Sequence, residues 1–357
     1  MTFNLLYGND PDNPFHNRQI IGLLDPLQLP PCPATDHLCP DKPIRLMETD
    51  YPYNAPIFAQ LFNKENIIHL TQNMRCDNDE WNKLLYHGRM GFKLSNDNDK
   101  YICKEIVNKR RFLQQDIEPG GHLYETYKKS LKVTYKNNDV KQINNKELEL
   151  LQNIPGSQFH IFNINIHLSK VKFREIYSSQ IDNPDTFYDN LIKSMHNLNG
   201  YNVIWNEDKS SSTEFIAINE GRVMLRTNQF KGLNTGSLGT ITGFTDEYII
   251  VKFDNLESET KITKIIFEHP DYSCIKIDAI PLIPAWAITI HKLQGQTIDS
   301  PYFILYNEPY CGNSIFYTAL SRTTKQENVY IISNRIIGEC DLKIDNICWE
   351  WYKKKCL

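Results

Sequence analysis

No glycine in this 357-residue chain is followed by lysine. That absence excludes the loop G-x-x-x-x-G-K-[ST], whose backbone N–H groups and lysine cradle nucleotide phosphates. There is no C-x-x-C either. The nine cysteines, odd in number and irregular in spacing, read as reduced thiols of an intracellular protein. Cys32, His37 and Cys39 are close enough to suggest part of a zinc site, but no second close pair accompanies them, and a loop carrying thiols explains them as well. No apolar run reaches the ~18 residues of a membrane span, and the N-terminus lacks a charged region followed by an apolar one. Internal repeats are absent. So is an excess of positive charge: the formal net charge is −4. That does not announce a nucleic-acid binder, although phosphate contact depends on a local basic groove rather than on the total.

What is present is enough for a folded protein. Hydrophobic residues make up 41% of the chain and aromatics 11%, so a packed core is expected, in two domains or in one carrying an insertion. Gln19–Leu24 (QIIGLL) is a nearly all-apolar run of strand length that ends at Asp25 and Pro26, and predicts a buried parallel strand. Pro30, Pro31, Pro33 and Pro40 make an extended connector. Ile67–Leu70 predicts a second buried strand. After it, Asp77 and Glu80 form a capping-box-like start to a helix with Trp81, Leu84 and Leu85 on one face, ended by Gly88 and Gly91. Lys132–Tyr135 reads as a strand and residues 139–152 as a helix; residues 170–215 read as helical, with a polar turn near Lys209–Thr213. Then short β-branched runs, Arg222–Arg226, Leu238–Thr242 and Tyr248–Phe253, alternate with glycine turns at Gly232, Gly236, Gly239 and Gly243. That rhythm predicts a small antiparallel barrel. Tyr302–Tyr306 and Val329–Ser333 return to buried strands, and Lys353–Lys355 reads as a solvated tail.

Two motifs stand out. Ala285–Thr297 (AWAITIHKLQGQT) carries T-I-H-K-x-Q-G-x-T, and Tyr317–Arg322 (YTALSR) follows it. Together they resemble the last two motifs of the superfamily 1 DNA helicases, closest in wording to the PIF-type (petite integration frequency) and RecD-like branch. Further segments extend the resemblance. Asn13–Pro31 (NPFHNRQIIGLLDPLQLPP) is similar to the third motif, with Leu24 where the family has glycine and with Asp25 and Gln28 in register. Ile68–Arg75 (IHLTQNMR), before a helix ended by glycine, is similar to the fourth, L-x-x-x-x-R…L-L-x-x-x-R-x-G. Val133–Asn144 (VTYKNNDVKQIN) resembles a DNA-contacting segment, T-x-x-N-x-x-V-x-x-I-N. Gly221–Gly239 (GRVMLRTNQFKGLNTGSLG) looks like the start of the family's inserted barrel, with Thr235 where asparagine usually precedes the glycine.

The resemblance implies roles, residue by residue. Gln28 would touch the γ-phosphate; a neutral amide suits a sensor because it can bond an anionic oxygen or the water that replaces it. By its own residues QLPP is equally a proline-rich turn. Arg75 would grip a phosphate with its two-pronged guanidinium, where a surface salt bridge is the plainer alternative. Arg322 would be the arginine finger, worth roughly 10³–10⁵ in rate where isolated in other NTPases. Gln294 and Gly295 would face the nucleotide. Thr134, Asn137, Asn144, Thr289 and His291 would face the DNA backbone, short hydroxyls and amides holding phosphates without adding charge. Trp286 is either a stacking platform for a base or a packed strand residue.

The expected architecture is α/β: a RecA-like parallel-sheet domain, the second of a motor's two, with an inserted small antiparallel β-barrel of Src-homology-three type. Residues 1–35 would hold the last strand and third motif of an otherwise absent first RecA-like domain. Residues 36–215 and 281–357 would form the second domain, interrupted by the barrel at 216–280. No metal ligands are expected here. Asp79-Glu80 starts a helix and Asp246-Glu247 lies in a barrel turn, so neither replaces the Mg²⁺-handling Asp-Glu pair. ATP and Mg²⁺ are therefore expected only in a completed motor, with the first domain supplied by a separate chain or an N-terminal region. The expected partner is single-stranded DNA, and the chain alone is expected to be inactive. The alternative is a non-catalytic nucleic-acid-binding or interaction protein derived from such a motor.

Overall fold

The computed structural model describes residues 64–168, 213–268, 275–307 and 313–357 continuously, with residues 21–30, 35–36, 39–43, 51–54, 197–198 and 201–202 and the single positions 19, 58 and 62. Along the chain, helix α1 (Asp79–Arg89) begins where the Asn78 side chain accepts the Trp81 N–H at 2.8 Å. The cap is thus Asn78 rather than Asp77; either short oxygen-bearing side chain satisfies an orphan donor, and Asn78 is the one in place. Trp81, Leu84, Leu85 and Gly88 form its buried face. Helix α2 (Asp97–Asn108) is capped in the same way by Asn96. Strand β1 (Arg111–Phe112), helix α3 (Tyr124–Lys129), strand β2 (Leu131–Thr134) and helix α4 (Asn137–Gln152) follow, the last two where the sequence places them.

Strand β3 (Phe159–Leu168) answers no expectation, although Phe162, Ile164, Ile166 and Leu168 alternate with Asn163, Asn165 and His167 in the period of two that marks a strand. The helical expectation for residues 170–215 falls largely outside the described residues. Where the chain is described there, Asn197–Leu198 pairs with Tyr201–Asn202, and strand β4 (Thr213–Ile218) lies antiparallel to β3. Strands β5 (Arg222–Leu225), β6 (Leu238–Phe244), β7 (Tyr248–Phe253), β8 (Glu259–Thr263), β9 (Ile265–Glu268), β10 (Ile275–Ala279) and β11 (Leu282–Pro284) complete two antiparallel sheets, ordered β8-β7-β6-β5-β11 and β9-β10-β3-β4. The antiparallel region thus draws on β3, well upstream of residue 216. Gly236 turns with φ at +99°, but Gly239 and Gly243 lie inside β6 instead of in turns. At Gly239 the facing strand explains the residue: an added Cβ would meet Val251 Cγ1 at 2.7 Å and Lys252 O at 2.9 Å.

The chain then returns to the first layer through β12 (Ala287–Thr289), helix α5 (Ile290–Leu293), β13 (Tyr302–Leu305), helix α6 (Ile315–Leu320), β14 (Val329–Ile332) and helix α7 (Asn346–Cys356). Five strands form one parallel sheet in the order β12-β2-β13-β14-β1. Such a sheet is covered on both faces, which is why its strands read as apolar runs. β2 and β12 are partners although the antiparallel region separates them in sequence, and one core joins the layers: Val133, Ile288, Ile304 and Ile331 are continuous with Ile249, Val251 and Ile262.

Two expected strands are not there. Residues 21–24 and 67–70 are extended but pair with no described strand. Ile21, Leu23, Ile68 and Leu70 are 78%, 91%, 84% and 77% exposed. An apolar run becomes a buried strand only if a sheet receives it, and the described residues offer none. The lysine run is also relocated: Lys353–Lys355 is the last turn of α7, where cations complement the helix dipole. Trp349 and Tyr352 of α7 join Leu27, Tyr51 and Tyr53 in a second apolar cluster. Cys32, His37 and the Cys39 side chain lie outside the described residues. Among those described, no group of three His, Cys, Asp or Glu side chains is placed to hold a metal, and no helix is long and apolar enough to cross a membrane.

Candidate functional site

The motif residues gather at the carboxyl edge of the parallel sheet, the side on which open α/β sheets bind ligands. Thr134 and Thr289, separated by the antiparallel region in sequence, are direct register partners at the ends of β2 and β12. Thr289 caps α5, accepting the Lys292 N–H at 3.4 Å, while the Thr134 hydroxyl donates to Asp139 Oδ2 at 3.2 Å. Both threonines are buried, at 4% and 1% exposure. Asn137 opens α4 and His291 lies in the first turn of α5; both are exposed. Lys292 beside them has its pKa lowered, first by burial and then by the charge of Arg226.

Asn144 departs from its expected place. Its amide accepts the Ala287 N–H at 2.8 Å and donates to Ala287 O and Pro284 O at 3.0 and 3.2 Å. β12 is the edge of the parallel sheet, and Asn144 supplies the hydrogen bonds that a further strand would have made. With its amide spent on backbone, this side chain positions β12 rather than facing outward. Trp286 is buried at 8% exposure, so it packs instead of offering a free ring.

The second cluster is cationic. Arg322 is 2% exposed, and its partners are neutral: Nε donates to Thr318 O at 3.0 Å, and Nη2 to Ser321 Oγ at 2.6 Å. Burial lowers its pKa, and the charge of Arg75 lowers it further. Arg75 donates from Nε to Thr297 Oγ1 at 3.1 Å and from Nη1 to Ser321 O at 2.8 Å. The carboxylate of Asp25 is taken by Arg89, at 3.2 and 2.9 Å, and by the Gln28 amide, at 2.8 Å. Of the three guanidiniums only Arg89 is bonded to the Asp25 carboxylate, and among the described residues the bonds of the buried Arg322 go to neutral groups. A tetrahedral anion is the ligand this arrangement fits, since bidentate arginine contacts match its oxygens.

A short loop ties the clusters together. Gln294 Nε2 lies 3.4 Å from Gln28 Oε1. Gly295 turns with φ at +84°, a conformation open to glycine without strain. Gln296 donates to Lys292 O at 3.0 Å and lies so close to Gly236 that a Cβ there would overlap its amide. Thr297 accepts from Arg75, and the Ile298 N–H donates to Arg322 O at 2.8 Å. Residues 294–298 thus touch Gln28, the antiparallel sheet, Arg75 and Arg322 in succession. Arg89, the partner of Asp25, has a sequence signal, because it fills the second arginine of L-L-x-x-x-R-x-G. Thr297 and Gln296 have none, because nothing local distinguishes a loop residue that bonds across the fold.

A five-stranded parallel sheet with its motif loops at the carboxyl edge is an α/β core like that of a RecA-like helicase domain. In particular, the fold is that of the Pif1 helicases. The structure is similar to Pif1 helicase from Candida albicans, with a TM-score of 0.55 at 17% identity, covering 87% of this chain and 65% of that one. Bacteroides Pif1 in complex with ADP-AlF3 and single-stranded DNA matches with a TM-score of 0.53 at 20% identity, covering 86% and 61%. A structure of two coordinating Pif1 helicases unwinding forked double-stranded DNA matches at 0.54, covering 86% and 59%. The chain thus spans about three-fifths of the length of these helicases. No protein-family model and no curated protein matches the sequence.

Proposed function

We propose that this chain is the C-terminal half of an ATP-dependent 5′-to-3′ DNA helicase, its antiparallel insertion a barrel of Src-homology-three type. Completed by a first motor domain that carries the phosphate loop and the Mg²⁺ carboxylates, it couples ATP hydrolysis to translocation on single-stranded DNA. The observation that carries this reading is the loop of residues 294–298. It bonds Gln28, Arg75 and Arg322 and, through Lys292 O, the short helix that Thr289 caps. In this reading Arg75 and Arg322 neutralise charge developing on the transferred phosphoryl group, with Gln28 and Gln294 alongside, and ATP supplies the group transferred. Thr134, Asn137, Thr289 and His291 line the strand-facing side, with Asn144 holding β12 in place beneath them.

The test has two parts. Alone, the chain hydrolyses ATP no faster than a buffer blank, because its sequence carries no G-x-x-x-x-G-K-[ST] loop to cradle the β- and γ-phosphates. Turnover that disappears in Arg322→Ala would refute this. Alone, it also binds single-stranded oligothymidine weakly, with affinity falling steeply as salt rises, because each phosphate contact gains chiefly from released counterions. A Thr289→Ala, His291→Ala double variant that binds as tightly as the parent removes the strand-facing assignment. Adding a matched first motor domain restores ATPase activity and tightens DNA binding together; if it restores neither, the chain is a non-catalytic binding protein.

A further inference from the structure

The C-terminal helix α7 lies outside every motif, yet it reaches the candidate site by two routes. Asp345 caps it, accepting the N–H groups of Ile347 and Cys348 at 2.9 and 3.2 Å. Its inner face, Cys348, Trp349 and Tyr352, joins the apolar cluster that also buries Leu27. Leu27 sits in the turn that the Gln28 N–H closes on Asp25 O at 3.3 Å. That is the backbone route. The other runs through side chains. The buried Tyr352 ring lies against the Arg89 guanidinium, whose Cζ is 5.3 Å from the ring centroid. The Tyr352 hydroxyl is fixed in turn, 2.8 Å from His69 Nε2.

From Arg89 the side-chain route continues to Gln28. Arg89 gives both Nε and Nη2 to Asp25 Oδ1, at 3.2 and 2.9 Å, and Asp25 Oδ2 takes the Gln28 amide at 2.8 Å. A carboxylate only accepts, so Gln28 must turn its NH2 toward Asp25 and its oxygen the other way, to Gln294 Nε2 at 3.4 Å. The polarity of the Gln28 amide is therefore set by how Asp25 is held. Arg89 holds it, and Arg89 is a long, partly exposed side chain. A guanidinium lying on an aromatic face gains electrostatic attraction and keeps its fork in one plane; a lysine there would keep the charge without the plane. Tyr352 supplies that face.

We propose that Tyr352 is a positioning residue: its ring fixes the Arg89 fork, through it Asp25, and so the orientation in which the Gln28 amide meets a phosphate. Tyr352 itself touches no reacting group. The inference rests on the motor reading for what Gln28 senses, and on geometry alone for how Gln28 is held. Helix α7 is then the support of the sensor.

The test is hydrogen exchange of the Gln28 side-chain amide in the full chain. It is read by NMR with isotope-labelled glutamine and assigned by the signal lost in Gln28→Glu. Tyr352→Leu keeps an apolar side chain in the cluster and removes the ring; exchange should quicken about tenfold, the size of one partly desolvated cation–π contact. Tyr352→Phe, which keeps the ring, should exchange as the parent does. If Tyr352→Leu unsettles α7, Arg89→Lys removes the fork without touching the cluster and should quicken exchange as much. Unchanged exchange in Arg89→Lys or in folded Tyr352→Leu, or equal acceleration in Tyr352→Phe, overturns the proposal. This readout needs no nucleotide, so it stands apart from the motor reading. With a matched first motor domain added, Tyr352→Leu should lower kcat about tenfold and leave KM near the parent value. A parent mixture without ATPase activity, beside the expected exchange, sinks the motor reading and keeps the positioning role. An active mixture whose kcat is the same in Tyr352→Leu sinks the positioning role and keeps the motor.

Discussion

Tyr302–Leu305 (YFIL) and residues 21–24 (IGLL) are nearly the same kind of sequence: short, apolar and free of charge. The first is β13, paired on both sides with Tyr302, Phe303 and Ile304 at 0% exposure; the second is unpaired, with Leu23 at 91%. The same contrast separates Val329–Ile332 from residues 67–70. An apolar run specifies that a strand will be buried. It does not specify that the neighbours belong to the same stretch of polypeptide. Neighbours for β13 arise because Leu131–Thr134 and Val329–Ile332 are present to flank it, and no described segment plays that part for residues 21–24.

The largest effect that tests this contrast is a charge placed in the received strand. Ile304→Asp puts an unpaired carboxylate where the side chain is 0% exposed, between two parallel neighbours. A loss above about 4 kcal/mol is expected, since this combines a lost core residue with an unpaired buried charge. In a thermal melt by circular dichroism the variant should show no cooperative transition. A melt within a few degrees of the parent would mean that β13 is not the centre of the core.

The same contrast explains what the sequence made legible. Three strands of the parallel sheet, β2, β13 and β14, are legible in the sequence because their neighbours lie in the chain, so that local pattern and burial agree; the two edge strands β1 and β12, of two and three residues, are too short to carry a pattern. The candidate residues Arg75, Arg322, Thr134 and Thr289 are marked in the sequence only by their motif wording, and the register between Thr134 and Thr289 depends on a sheet pairing that no local window contains. The bonds of Asn144 are hidden in the sequence for a related reason: an Asn in a polar helix gives no sign that an edge strand across the fold uses its amide. The alternation of β3 was visible, and was lost against a polar, Asn-rich background.

A second prediction concerns the far end of the same sheet layer. Asp341 is 3% exposed and accepts from Arg335 Nη1 at 2.9 Å, from the Tyr306 hydroxyl at 2.9 Å and from the Gly338 N–H at 2.8 Å. Burial alone would raise its pKa; the bonds to Arg335, Gly338 and Tyr306 outweigh it and hold the carboxyl below its usual value. A depressed carboxylate stabilises the fold fully above the ordinary range near about 4, and that contribution is lost as pH falls through the lower folded value. Asp341→Asn should lose about 2–3 kcal/mol at neutral pH, less than a fully buried pair because Arg335 keeps contact with water. It should also flatten the acid limb of the stability curve. An unchanged acid limb would show that other carboxylates control it.

Smaller still is the contact between the antiparallel sheet and the loop of residues 294–298. Gly236→Ala meets two obstacles: φ at +99°, and the Gln296 amide, which the new Cβ would overlap. The amide can swing away by giving up its bond to Lys292 O, so the torsion dominates, and a loss of about 1–2 kcal/mol is expected. Adding Gln296→Ala should recover only the steric part. Full recovery in the double variant would mean that the backbone at Gly236 is unstrained and that the contact is purely steric.

The smallest expected effect is the most discriminating. Leu23→Asp replaces a side chain that is 91% exposed, touches no described neighbour by hydrogen bond and belongs to no described ladder. Exposed substitutions away from caps, cores and ion pairs usually lie within about 0.5 kcal/mol, so the chain alone should melt as the parent does in circular dichroism and in urea. The prediction is sharp because the sequence argues the opposite: a leucine inside an apolar, strand-length run should be costly to charge, as Ile304 is. If Leu23→Asp destabilises the isolated chain by more than about 1 kcal/mol, residues 21–24 are already received by this polypeptide. The contrast between the two strands then fails at its root. If it does not, only the flanked run serves folding, and burial of an apolar run is set by its neighbours rather than by its own composition.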